Sequence, residues 1–274
     1  MRTLALVNQK GGCGKTTTAV HLAGALARKQ ERVLLVDLDP QAHATMALSV
    51  AVEEGEVSIA DTLLHRWPIR DAIRPAAGGI ALAAARAELG EFEEVSQRVV
   101  NPEQLLRGAL ATVADRYDYA IIDCPPRADG VLSANALRAA DVVCLVVEMG
   151  AFALQGAFKA VSILEEVADD MEVEFELRVV ATLFNRRERL ARDLLIATQA
   201  RFGSLMFDTV IHENVALREA AASGLPIQLL DPQGRAARDF EYLAEEVRCL
   251  GRISPLSVSA GRVEKLHKKS VGSR

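Results

Sequence analysis

The sequence predicts a single α/β domain in which a mostly parallel, twisted sheet is flanked by helices. Two observations carry that expectation. Apolar strand-like runs alternate with segments of helical periodicity across residues 1–250. A glycine-rich loop, Gly11-Gly12-Cys13-Gly14, joins the first apolar run to the first helical segment.

Strands are expected at 3–7, 33–36, 80–83, 119–122, 142–147, 177–183 and 206–210. Helices are expected at 16–29, 102–115, 131–139, 154–168, 188–201 and 235–249. Right-handed crossovers put these helices on both faces of the sheet, and a ligand then belongs at the carboxyl ends of the strands. Residues 51–101 are less regular, broken by Glu53-Glu54-Gly55-Glu56, Trp67-Pro68 and Gly78-Gly79; the acidic stretch Glu88 to Glu94 reads as a solvated helix face. No internal repeat or second domain is evident. Ser254-Pro255 ends the last helix, and Arg262, Lys265, Lys268, Lys269 and Arg274 make residues 251–274 a basic tail expected to be flexible.

A chain of 274 residues, half of them apolar, can bury one large core. The net charge of −5 argues against wholesale nucleic-acid affinity and leaves room for a local basic face. Cys13, Cys124, Cys144 and Cys249 are scattered with no C-x-x-C spacing, which indicates neither a zinc site nor a disulfide framework. No apolar stretch approaches the ~20 residues that span a bilayer. The N-terminus runs straight into the first strand, so a soluble cytoplasmic protein is expected.

The chemistry concentrates in three loops. In Asn8-Gln9-Lys10-Gly11-Gly12-Cys13-Gly14-Lys15-Thr16-Thr17, glycines let backbone N–H groups turn inward on an oxyanion, and the following helix N-terminus adds a favourable dipole. Lys15 is placed for the β- and γ-phosphates, and the Thr16 hydroxyl for Mg²⁺. Gln9 stands where the usual phosphate loop has glycine, so the loop is a variant, and Cys13 fills a small space within it. Lys10 sits among phosphate-facing amides and is expected to point at phosphate, its own or that of a neighbouring subunit.

The second loop follows the strand 33–36. Asp37 and Asp39, at i and i+2, face the same way on an emerging strand, which suits a metal- and water-facing edge, and Pro40 breaks the strand. The third is Asp123-Cys124-Pro125-Pro126, an apolar strand ending in a carboxylate that reaches Mg²⁺ through water, followed by a rigid turn.

Together these motifs resemble the ParA/MinD superfamily, and within it the ParA/Soj-type partition ATPases, whose deviant Walker A loop carries the extra lysine. The likeness continues through Asn135 to Asp141, Ala153-Leu154-Gln155-Gly156, Thr182 to Arg187 and Val210 to Val215, and covers roughly residues 1–250. Ala42 and His43 depart from the usual Gly-Asn, His212-Glu213 from a frequent Pro-Arg, and Ala216 from a common arginine.

The resemblance implies a P-loop fold of the deviant Walker A type. It implies ATP held by Gly11, Gly12, Cys13, Gly14, Lys15, Thr16 and Thr17, with Mg²⁺ near Thr16, Asp37, Asp39 and Asp123. Lys10, Lys15 and Asp39 would be catalytic, Asp39 orienting the attacking water and Lys10 crossing to the nucleotide of a second copy in an ATP-dependent homodimer. Asn185 resembles the adenine-facing residue of related ATPases and reads equally well as a cap for the helix 188–201; backbone around His212 and Asn214 would close the pocket. The guanine-reading N-K-x-D pattern is absent.

The family further implies non-specific DNA binding, nucleoid association when ATP-bound, and slow hydrolysis stimulated by a ParB-like adaptor. Candidate phosphate-contacting residues are Arg186, Arg187, Arg189, Arg192 and Arg201 in one segment and Arg235 and Arg238 in another; Glu188 and Asp193 interrupt the first cluster, so solvated or paired arginines stay open as a reading. The tail has only Val263, Leu266 and Val271 to offer a membrane, so no stable membrane association is expected. Alternatives are a MinD-like positioning ATPase at a membrane surface and a metabolic or redox enzyme on the same fold. The cargo, whether plasmid, chromosome or protein assembly, is not legible.

Overall fold

The structure, a computed structural model, describes residues 1–127 and 130–250; the expected tail at 251–274 lies outside the described residues. Eight strands form one sheet: β1 (Arg2–Val7), β2 (Val33–Asp37), β3 (Ile73–Pro75), β4 (Ala81–Ala83), β5 (Tyr119–Asp123), β6 (Val142–Glu148), β7 (Glu176–Phe184) and β8 (Met206–His212). Their order is β3-β4-β2-β5-β1-β6-β7-β8. All neighbours run parallel except β3, which pairs antiparallel with β4 through Ile73↔Ala83 and Pro75↔Ala81. Proline lacks an N–H for a ladder, and an edge strand tolerates it.

The helices are α1 (Lys15–Arg28), α2 (His43–Ala47), α3 (Ile59–His65), α4 (Ile69–Ala72), α5 (Leu89–Val95), α6 (Leu105–Ala111), α7 (Val131–Ala139), α8 (Ala153–Met171), α9 (Arg189–Phe202), α10 (Val215–Ala222), α11 (Ile227–Leu230) and α12 (Arg235–Cys249). They cover both faces. Strand side chains alternate between two cores: Ala5 and Val7 of β1 face α3 and α6–α8, whereas Leu4 and Leu6 face α1 and α12. A strand buried on both sides needs apolar residues at every position, which is why β1, β2, β5 and β6 read as unbroken apolar runs.

Each expected strand is present to within two residues at either end. The misses are short elements. The helix expected at 102–115 is reduced to Leu105–Ala111 after one tight turn at Pro102–Gln104. Strand β3 and helices α2, α3, α4, α10 and α11 were not expected at all. They are too short to show a helical period, and their ends are set by tertiary contacts. One signal for α3 was present in the residues: Ser58 and Asp61 form a reciprocal capping box, the Asp61 carboxylate accepting both the backbone N–H and the hydroxyl of Ser58 at 2.8 Å.

The far edge is guarded. On β8 the exposed N–H groups of Asp208 and Thr209 donate to the Glu246 carboxylate of α12, at 2.7 and 2.8 Å. A side chain thus occupies an edge that would otherwise template another strand.

Candidate active site

The loop between β1 and α1 turns because Gly12 and Gly14 adopt left-handed backbone, with φ of 75° and 92°. A side chain at either position would crowd its own carbonyl at a cost of about 1–2 kcal/mol, so glycine is favoured there. Gly14 directly precedes α1, leaving the unpaired N–H groups of the first turn facing the loop interior.

Neighbouring strands hold the loop in place. The Thr182 hydroxyl of β7 donates to the Cys13 carbonyl at 2.7 Å, and the Asn8 amide donates to the Val146 carbonyl of β6 at 2.6 Å. The Cys13 thiol is buried, and burial pushes its pKa up; it packs beneath the loop, as its space-filling role anticipated.

A cavity of about 590 Å³ opens over this loop. Gly11, Gly12, Gly14, Lys15, Thr16, Thr17, Asp39 and Pro126 line its polar end, so the structure brings residues of all three sequence motifs together. The Lys15 side chain is buried, and its ammonium donates to the Lys10 carbonyl at 3.3 Å, inside the curl of the loop. The Lys10 ammonium points outward and pairs with Glu148 at the end of β6.

The carboxylate of Asp123 is fully buried, and neither oxygen has a hydrogen-bond partner. Burial raises its pKa well above the carboxylate range, and the charge of Asp37 adds to the shift. The nearby Thr16 hydroxyl and the Lys15 charge pull it part of the way back. An orphaned buried carboxylate beside a threonine hydroxyl is a donor set that fits a hard cation. Among the described residues no three His, Cys, Asp or Glu side chains gather into a metal cage.

Asp37, expected in the metal shell, is engaged by protein donors in this structure. One oxygen accepts the Thr45 N–H at 2.8 Å and the Thr45 hydroxyl at 2.7 Å, and the other accepts the Asp39 N–H at 3.3 Å. Burial nonetheless pushes its pKa up to about 6. Asp37 therefore pins the loop that presents Asp39. The Asp39 carboxylate lines the cavity and accepts the Gln41 N–H at 2.9 Å. In the same loop Ala42 adopts φ of 52°, a left-handed conformation that explains why related loops carry glycine there, and the methyl group strains it by about 1 kcal/mol.

The side chains of the two expected base-side residues, His212 and Asn185, hold protein partners. The His212 side chain leaves the phosphate side: its Nδ1 pairs with Asp239 of α12 at 2.9 Å, and its ring packs edge-on against Phe184. Alternation along β8 aims it toward α12, into a separate cleft. Asn185 does not cap α9, whose N-cap is Glu188; its oxygen accepts the Arg187 N–H at 3.1 Å and its amide donates to Glu188 at 3.0 Å, shaping the turn before that helix. Asn214 caps α10 by accepting the Ala216 N–H at 3.0 Å.

The sequence reading missed the cavity's apolar end, formed by Val20 and His21 of α1, Met46 of α2, Leu183 of β7 and Leu217 of α10. Helical spacing from Thr17 placed Val20 and His21 on the same face. Leu183, at φ of 52° within a strand, sits where the β7–β8 register slips, and no sequence signal marks it. The His21 Nδ1 accepts the Ile227 N–H at 3.0 Å, and burial lowers its pKa to about 4.

The arginines divide. Arg186, Arg187, Arg189 and Arg192 are exposed around the start of α9, and Arg235 and Arg238 on the first turns of α12. Arg192 also ties down the preceding turn by donating to the Arg186 carbonyl at 2.8 Å, and Arg189 lies 3.6 Å from Asp193. Arg201 is corrected: its guanidinium stacks 4.8 Å from the Phe158 ring centroid, with Nε enclosed, and so packs against α8.

The chain is similar to known proteins along most of its length. The family described as "AAA domain" matches residues 1–177. The chromosome partitioning protein ParA of Caulobacter vibrioides is 35% identical over 251 residues, covering 90% of this chain and 94% of its own length. The chromosome-partitioning ATPase Soj of Thermus thermophilus is 38% identical over 248 residues, covering 90% and 95%. Among solved structures, cobyrinic acid a,c-diamide synthase from Mycobacterium smegmatis with bound ATP analog and magnesium is 28% identical with a TM-score of 0.75, covering 91% of this chain and 95% of that one. With a partition-type phosphate loop, its two carboxylate loops and this likeness along nine-tenths of its length, the chain belongs to the ParA/Soj family of P-loop ATPases.

Proposed function

We propose that this ATPase is a dimerising switch, driven by ATP and Mg²⁺, that binds DNA without reading its sequence and partitions or positions a cargo in the cytoplasm. The observation that carries the reading is the division of labour between two lysines. Lys15 fills the interior of the phosphate loop, while Lys10 stands outside it with 57% of its side chain exposed. An exposed cation on a phosphate loop gains a second phosphate partner only from another copy of the chain. Face-to-face triphosphates, in turn, need added cations to be tolerated.

In this mechanism the loop amides and Lys15 bind the β- and γ-phosphates, and Thr16 and Asp123 hold Mg²⁺. The bound Mg²⁺ supplies neutralisation of phosphate charge. Asp39, held by Asp37 and the Gln41 N–H, positions the attacking water. Loss of the γ-phosphate removes the contact that Lys10 makes across the interface, and the dimer separates. The exposed arginines at the starts of α9 and α12 supply phosphate contacts, doubled by dimerisation, and an adaptor of the ParB kind stimulates turnover.

Light scattering with ATP and a slowly hydrolysed analogue tests the reading. Lys10→Ala should remain monomeric while still binding nucleotide, and the parent protein with ATP should be retained on arbitrary duplex DNA in a salt-sensitive manner. Unchanged pairing in Lys10→Ala would falsify the switch. The likeness to the cobyrinic acid synthase supports a second reading, an ATP-dependent amide-forming enzyme, which predicts turnover stimulated by a small carboxylic acid rather than by DNA and an adaptor. Among the described residues no helix is long and apolar enough to cross a membrane.

A further inference from the structure

Between α3, α4 and α6 lies an open groove of about 720 Å³ that shares no lining residue with the cavity at the phosphate loop. Its floor passes over Gly108 of α6, where a side chain would meet nothing within 4 Å. One wall is Trp67, the chain's one tryptophan, 52% exposed. Exposed Arg66, Arg70 and Arg116 stand on the rim, opposed within the groove by one carboxylate, Asp115.

These cations are poorly matched inside the molecule. Among the described residues no carboxylate lies within ion-pair distance of Arg66 or Arg116, and Arg70 reaches only its neighbour Asp71, at 3.5 Å. At the same groove the Thr62 hydroxyl belongs to a residue only 4% exposed and has no hydrogen-bond partner. Buried hydroxyls are nearly always paired, and leaving one unpaired costs about 1–3 kcal/mol. A positive, aromatic-walled groove on a chain of net charge −5 is a local exception.

We propose that this groove docks an acidic segment of a partner protein. Carboxylates of the segment pair with Arg66, Arg70 and Arg116, an apolar side chain packs on Trp67 over the open floor at Gly108, and a polar group of the segment meets Thr62. Charge decides against two other occupants. Residues 251–274 carry Arg262, Lys265, Lys268 and Lys269 and are repelled, as is the basic segment of a ParB-like activator. The proposal is independent of the nucleotide switch. The Trp67 ring together with Leu105 and Ala109 offers apolar contact that an apolar peptide side chain covers and a phosphate backbone does not.

Because Trp67 is the sole tryptophan, its emission reports on the groove directly. The full-length protein is titrated with an acetylated peptide alternating glutamate and leucine, with its lysine counterpart, and with oligothymidylate. The expected result is a saturable, salt-weakened change with the acidic peptide alone. Affinity should fall ~10-fold or more in Arg66→Glu/Arg116→Glu, with ATP turnover unchanged. Arg66→Gln/Arg116→Gln replaces that variant should charge reversal impair folding. No emission change with the acidic peptide, an unchanged affinity in the variants, or a response to oligothymidylate instead would each overturn the proposal.

Discussion

Lys10 and Glu148 pair across the mouth of the phosphate loop, tying the turn after β1 to the end of β6 through side chains 57% and 29% exposed. Exposed pairs of this kind contribute about 0–1 kcal/mol. Glu148→Gln and Lys10→Ala should therefore each shift the unfolding free energy by less than about 1 kcal/mol in urea titrations. A Lys10 variant that loses ATP-driven pairing then does so through function and not through loss of fold.

Asp123 carries the opposite expectation, because its carboxylate is buried without a partner. Asp123→Asn removes a charge that only a cation relieves, so the nucleotide-free variant should melt at or above the parent temperature at pH 8. Its ATP turnover should fall by ~10²-fold or more, the scale of losing one electrostatic contact to the reacting phosphate. A variant that melts lower while keeping activity would assign the residue to structure alone.

His21 makes folding acid-sensitive. Its pKa is about 4 in the folded chain against 6.5 for a free histidine, so the unfolded chain binds the proton first as pH falls. The stability it contributes is complete above about pH 6.5 and is lost toward pH 4, by about 3 kcal/mol in total. Urea midpoints between pH 7 and pH 4 measure the loss, and His21→Leu should remove that part of the slope.

The arginines separate into two classes that substitution can tell apart. Arg186→Glu/Arg187→Glu should weaken retention on duplex DNA and reduce its salt dependence while leaving stability within about 0.5 kcal/mol. Arg201→Ala should lower stability by about 1 kcal/mol through loss of its stacking on Phe158, with DNA retention unchanged. Loss of DNA binding in Arg201→Ala alone would reverse this assignment.

Much of the active site was legible because its chemistry is written in contiguous residues. Glycine at positions 12 and 14, lysine at 15, threonine at 16 and aspartate at 39 and 123 each follow a strand whose apolar run is easily seen. The base-side residues are less legible for a different reason. Asn185 and His212 sit at strand ends, where one residue of register or one turn decides which face receives the side chain. That choice belongs to Glu188, three residues along in the same turn, and to Asp239 of α12.

By itself the sequence determined the parallel sheet, the long helices and the phosphate loop, since each rests on periodicity or on backbone freedom local to a few residues. Only the tertiary structure decided which carboxylates are spent and which are left open. Asp37 is consumed by Thr45, eight positions along the chain, while Asp123 is buried without a partner. Tertiary structure alone also brought Thr62 and Arg66 beside Arg116, some fifty residues later, to form a groove. Burial and pairing depend on how segments pack together in space, which the order of residues along the chain does not display even where the partners are only a few positions apart.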